Sequence, residues 1–139
     1  MQTFRFTVYG EPVAKGRPKF VRATGRTYTP KKTVEYENLV RLSFATAGGE
    51  KFLDDSILRM QIRAYFRIPS SFSKKKQAAC REGIVRPAKK PDADNIIKSI
   101  CDALNDVAYK DDAQVVEVQL RKFYSDEPRV EVFLSEIAE

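Results

Sequence analysis

The amino-acid sequence predicts one α+β domain over residues 1–139, a mixed or antiparallel sheet with helices packed on it. Three observations lead there. Strand-period and helix-period stretches follow the order β, hairpin, α, β, α, α, β, β, which is not the strict alternation of a parallel α/β fold. A chain of 139 residues, 42% apolar, can bury one core of ordinary size but not two. No Gly-rich phosphate loop joins a strand to a helix, so a doubly wound nucleotide-binding fold is excluded and no nucleotide cofactor is expected.

The elements follow in order. Phe4, Phe6 and Val8 alternate with Thr3, Arg5 and Thr7, a strand over 3–9. GlyGluProValAlaLysGlyArgPro (10–18) is a loop, punctuated by two Gly and two Pro. Residues 19–29 form a short hairpin around AlaThrGly (23–25). Thr29 caps a helix that begins at Pro30, runs to Ala47 with Val34, Val40 and Phe44 facing inward, and stops at Gly48-Gly49. Over 57–66, Leu58, Met60, Ile62, Ala64 and Phe66 alternate with Arg59, Gln61, Arg63 and Tyr65, a half-buried strand with a wet, basic face. Ser73 caps a basic helix over 74–82, closed by Gly83. A linker (84–91) leads to a helix over 94–105 that buries Ile96, Ile97, Ile100, Cys101 and Leu104, with Asp94 as its cap. Strands 114–124 and 129–135 close the chain as a hairpin turning at AspGluPro (126–128).

Composition narrows the chemistry. The chain has no His, which removes the commonest general base and a common transition-metal ligand. Cys80 and Cys101 fit no CxxC or zinc spacing and read as packed thiols of a reducing cytoplasm. No apolar run reaches the ~18 residues of a membrane span, and MetGlnThrPheArgPhe is no signal peptide. The expectation is a soluble cytoplasmic protein without membrane contact.

The net charge is +6, but its distribution is more informative. Arg5, Lys15, Arg17, Lys19, Arg22, Arg26, Lys31 and Lys32 stand against Glu11 alone in residues 1–33. Arg67, Lys74, Lys75, Lys76, Arg81, Arg86, Lys89 and Lys90 stand against Glu82 alone in 67–90. The sign then reverses with Asp92, Asp94, Asp102, Asp106, Asp111 and Asp112. Basic segments flanking an acidic knot suit a polyanion held beside a cation. The candidate DNA contacts are Lys15, Arg17, Lys19, Lys74, Lys75, Lys76, Arg86, Lys89 and Lys90.

The stretch LysProAspAlaAspAsnIleIleLys (90–98), AspAlaLeuAsn (102–105), AspAspAlaGln (111–114) carries the chemistry. Asp94, Lys98 and Asp102 are four apart and make one polar stripe on a helix. If the helix lies on the strand that follows, Asp112 comes near Asp92 and Asp94. Converging carboxylates repel unless a cation neutralises them, and oxygen-only ligands suit Mg²⁺, or Mn²⁺. Such a cation can activate water and polarise a phosphoryl oxygen, and Lys98 adds a fixed positive charge. Each part also has an ordinary reading: a helix cap, turn chemistry before a strand, and surface ion pairs worth ~0.3–0.5 kcal/mol each.

Together these segments resemble the RusA family of Holliday junction resolvases. GlyGluProValAlaLysGlyArgProLys (10–19) is similar to that family's basic loop, and TyrThrPro with ThrValGluTyrGlu (28–37) to its next segment. The resemblance implies a Mg²⁺-dependent endodeoxyribonuclease that resolves four-way junctions in recombination and repair, on an α+β fold, as a homodimer. It implies Asp92, Asp94 and Asp112 as metal-binding acids and Lys98 as the catalytic lysine, with Asp111 and Asp102 as additional site positions. A twofold dimer suits a junction of approximate twofold symmetry that must be cut in pairs. Two other readings stay open: a nuclease for forks, flaps or duplex, and a non-catalytic nucleic-acid-binding module.

Overall fold

A computed structural model describes residues 3–16 and 18–137. The strands are β1 (Thr3–Tyr9), β2 (Lys19–Val21), β3 (Arg26–Tyr28), β4 (Leu58–Arg67), β5 (Val115–Ser125) and β6 (Arg129–Glu136). The helices are α1 (Lys31–Thr46), α2 (Lys74–Arg81) and α3 (Ala93–Leu104), and a 3-10 turn, Asp112–Gln114, precedes β5. A four-stranded mixed sheet runs β1-β6-β4-β5, while β2 and β3 pair as a separate ribbon. The predicted α+β class holds.

The alternation of β4 is reproduced in full: Leu58, Met60, Ile62, Ala64 and Phe66 are buried and Arg59 and Arg67 exposed. The buried row meets Phe6 and Val8 of β1, Val130, Val132 and Leu134 of β6, and Ile96, Ile100 and Leu104 of α3. Burying each such aliphatic side chain contributes about 1.5–3 kcal/mol. Phe44 of α1 lies edge-on to Phe4 and Phe6, and Phe72, just before α2, lies edge-on to Tyr124 of β5. The helices therefore cover one face of the sheet.

Four expectations are corrected. The last two strands form no hairpin: β6 pairs antiparallel with β4, and β5 pairs with β4 in parallel. Each edge of β4 takes one of them, so residues 126–128 cross the end of β4 and span two strand spacings, about 10 Å. The first helix is capped at Pro30, not Thr29, without a side-chain bond. Val34 is exposed, and Thr33, Tyr36 and Glu37 are buried with Val40 and Phe44. The cap of α3 is Asp92, one turn position before Ala93, which leaves Asp94 inside the first turn. Ser73 does cap α2, accepting from the Lys76 amide at 3.1 Å. Among the described residues no helix is long and apolar enough to cross a membrane.

Candidate active site

The site is built on α3 and its return to β5. Ile96, Ile100, Cys101 and Leu104 bury one side of α3, which forces Asp94, Lys98 and Asp102 onto the other. The Tyr109 hydroxyl donates to the Cys101 carbonyl at 2.8 Å, and its ring is fully buried, so the chain after α3 is tied back against it. The Asp112 amide donates to Asn105 Oδ1 at 2.9 Å. Asp111 accepts from the Ala113 amide at 3.2 Å and Gln114 reciprocates, a capping box that sets the 3-10 turn. These bonds place Asp112 at the C-terminal end of α3.

Asp112 feels that position. Its carboxyl is held above the usual carboxylate range, first by burial and then by Asp111 and Asp102, with Lys98 partly opposing them. Burial pushes the Cys101 thiol up to about 11, so it stays a neutral packing group. Lys98 is exposed and makes no ion pair among the described residues, so the stripe of Asp94–Lys98–Asp102 surface pairs does not form. Asp102 is bonded instead to Lys15, at 3.4 Å.

Asp92 and Asp94 stand at the opposite end of α3. Asp92 and Asp102 are ten positions apart (102 − 92), about 15 Å of helical rise. The expected convergence of Asp92, Asp94 and Asp112 is not met as a ready-made group of three among the described residues. Among the described residues no group of three or more His, Cys, Asp or Glu is close enough to hold a metal ion. The Asn105 anchor sets Asp112 beside the C-terminal end of α3, while Asp92 caps the N-terminal end. In kind, the donors do fit a hard cation, being carboxylate oxygens alone, and the mutual repulsion at Asp112 is of the sort a cation relieves.

The Asp92 end has its own architecture. Although Asp92 is the cap residue of α3, its side chain accepts no cap hydrogen bond and is left exposed. Lys122 of β5 donates from Nζ to the Lys89 carbonyl at 2.5 Å and to the Pro91 carbonyl at 3.0 Å. Arg86 donates in return to the Lys122 carbonyl at 2.8 Å and lies over the Phe123 ring at 4.3 Å. This lacing fixes the segment that delivers Asp92. Sequence reasoning missed Lys122; its one signal was a lysine on the core-facing row of a strand. A groove beside Asp92 is lined by Val13, Lys32, Lys90 and Asn95, and Lys32 was likewise missed as a neighbour of the acids.

The basic residues divide into two kinds. Lys19, Lys74, Lys75, Lys76, Lys89 and Lys90 are exposed, and Lys76 also packs over Phe72 at 3.9 Å. Lys15 departs from its expected phosphate-gripping role: its Nζ donates to Glu37 at 2.8 Å and pairs with Asp102, and its side chain is 20% exposed. Glu37 is itself buried and also meets Arg41 at 3.4 Å. The Gly16 amide donates to Thr33 Oγ1 at 2.9 Å, so close that a Cβ on Gly16 would stand 2.6 Å from that oxygen. The basic loop is thus buttoned to α1 and α3 by Lys15 and Gly16. Arg17 lies outside the described residues.

A family model, Endodeoxyribonuclease RusA, matches residues 9–135. The chain belongs to the RusA endodeoxyribonuclease family. It is a nuclease by that membership, and the matched span takes in the basic loop, the whole of α3 and Asp112. The uncharacterized protein YqaN of Bacillus subtilis (strain 168) is similar to it, 41% identical over 142 positions that cover 99% of each chain.

Proposed function

We propose that this RusA family nuclease is a Mg²⁺-dependent endonuclease that resolves four-way DNA junctions by paired phosphodiester hydrolysis, acting as a homodimer in recombination and repair. The observation that carries the reading is the polar stripe of α3. It presents Asp92, Asp94 and Lys98 to solvent and ends beside Asp112, with no ion pair among the described residues consuming Lys98. In this reading Asp92, Asp94 and Asp112 are the metal-holding carboxylates, drawn together when the ion binds, with Asp102 and Asp111 adding negative charge at the Asp112 end. A bound Mg²⁺, or Mn²⁺, supplies water activation and charge neutralisation at the phosphate. Lys98 stabilises the negative charge that develops on the phosphorane oxygens. The exposed lysines of α2 and of residues 89–90 draw in the phosphate backbone against the repulsion of the acids.

The test is cleavage of a synthetic immobile four-way junction, with and without Mg²⁺, beside fork and duplex controls. Paired nicks that require Mg²⁺ and vanish in Asp92→Asn, while junction binding persists, are expected. Cleavage by Asp92→Asn at the parent rate in Mg²⁺ refutes the site. Equal cutting of plain duplex refutes the junction.

A further inference from the structure

We infer that the helix-free face of the sheet binds an unpaired nucleic-acid strand. This goes beyond junction cutting and does not depend on the acid site. The helices cover one face; on the opposite rows Arg121 is exposed and Arg63, Tyr65 and Phe123 are half-buried beneath neighbouring side chains rather than a second layer of the fold. The register sets Arg63 of β4 directly beside Arg121 of β5, and Tyr65 beside Phe123 one step further along the same face. Like charges facing each other across a strand pair destabilise a sheet, so this pair costs the fold something and asks for an anion. None is supplied from within the described residues. Glu131, the neighbour of Arg63 on β6, is already taken by Arg129 at 3.0 Å and Arg5 at 3.8 Å. Arg63 instead leans away from Arg121, its guanidinium 5.0 Å from the centre of the Phe133 ring.

The aromatic half of the face is equally suggestive of a base. Tyr65 and Phe123 stack at 5.4 Å with 22° between their planes. Arg129 covers Tyr65 at 3.9 Å and Arg86, itself exposed, covers Phe123 at 4.3 Å, so a guanidinium lies over each ring. A guanidinium lying on an aromatic ring offers its other side as a stacking surface, and unpaired bases stack on such planes irrespective of sequence. The charge favours a polyanion over a second copy of this basic chain. The spacing of one basic pair and one stacking pair along a strand suits a phosphate followed by its base. Duplex DNA hides its base faces and gains nothing from the second pair.

The experiment is an anisotropy titration of a labelled, unbranched oligothymidylate in EDTA, so the outcome is independent of whether the acids cut junctions. The parent is compared with Arg63→Gln/Arg121→Gln and with Tyr65→Leu. The double glutamine variant should lower the salt dependence of binding by about 1.4 in log–log slope, ~0.7 for each phosphate no longer neutralised. Tyr65→Leu should weaken binding roughly tenfold. The glutamine variant removes a like-charge pair, so its melting temperature should hold, and it decides the question alone if Tyr65→Leu does not fold. An unchanged slope and affinity in the glutamine variant overturn the proposal. An equal loss for a blunt duplex of the same length overturns it too. So does a shift in sedimentation with oligothymidylate affinity intact, which makes the face a contact between copies.

Discussion

Removing the Lys122 ammonium is the sharpest way to separate the position of Asp92 from its presence. Lys122→Met keeps the aliphatic stem against Phe66 but deletes the donor to the Lys89 and Pro91 carbonyls, bonds of 2.5 and 3.0 Å. Burial pulls this lysine below its usual range, with Asp92 opposing that pull, so the ammonium is partly desolvated where it works. Hydrogen bonds from a charged donor are worth about 1.5–3 kcal/mol each, less at a half-open site, so roughly 2 kcal/mol of local restraint is lost. The segment stays laced by Arg86, so the expected result is a small displacement of Asp92 rather than unfolding. A shift of about 1 Å at a reacting group costs on the order of a hundredfold in rate, near 2.7 kcal/mol of barrier. The assay is single-turnover cleavage with enzyme saturating a labelled junction, beside junction affinity in EDTA and a thermal melt. Lys122→Met should cut about a hundredfold more slowly, bind almost as well and melt within a few degrees of the parent. Lys122→Arg, which can reach the same carbonyls, should recover part of the rate. A Met variant within about threefold of the parent rate, or one whose Arg counterpart recovers nothing, refutes the positioning role.

Three further outcomes are expected. Lys98→Ala should bind junctions like the parent and cut them a hundred- to a thousandfold more slowly under single turnover, about 3–4 kcal/mol of lost transition-state stabilisation; a rate within threefold returns Lys98 to an idle surface. Asp112→Asn should abolish cleavage and raise the melting temperature at neutral pH. The Asp112 carboxyl is held above its usual range, so its proton stabilises the fold at low pH and that stability is lost as pH rises through the raised pKa; the gain from Asn should therefore fade below about pH 4. A gain independent of pH disproves the repulsion. Lys15→Met should cost about 1–3 kcal/mol in a urea melt, because it strands Glu37, and should leave the salt slope of DNA binding unchanged. A shallower slope with full stability would restore Lys15 to the phosphates.

Where local pattern decides the outcome, the sequence was a good guide. The period-2 run of β4 could bury only one row, and the spacing of Ile96, Ile100 and Leu104 could bury only one side of α3, so the acids had to share the other. The Gly83 stop after α2 and the β2–β3 ribbon are equally local. The errors are of long range. Nothing in residues 114–135 distinguishes a hairpin from two strands that part around β4, because that choice depends on which edges of β4 are open. Lys15 reads as a loop lysine until Glu37 is seen buried one helix away. The anchoring of Asp112 at the C-terminal end of α3 rests on Asn105, whose side chain gave no signal in a stretch that looked like a helix ending.

The strand order gives the placing of Asp112 and Lys122 at different points along β5 a functional sense. Because β6 takes one side of β4, β5 is left as the outer strand of the sheet, with one backbone edge unpaired among the described strands. Asp112 lies just before the first residue of β5, while Lys122, with the lacing that holds Asp92, lies seven positions after it (122 − 115). At about 3.3 Å per residue Val115 and Lys122 are some 23 Å apart along β5, near the rise of seven base pairs. The Asp112 end is acidic and repels a phosphate until a cation neutralises it; the Asp92 end also carries Lys89 and Lys90, exposed and of the sign that attracts phosphate. In the proposed reading a strand of DNA following the β5 edge is drawn first to Lys89 and Lys90, and the carboxylates engage it only with metal present. In the proposed reading this division lets binding persist without Mg²⁺ while cutting requires it, which is the behaviour that the EDTA and Mg²⁺ arms of the junction assay measure.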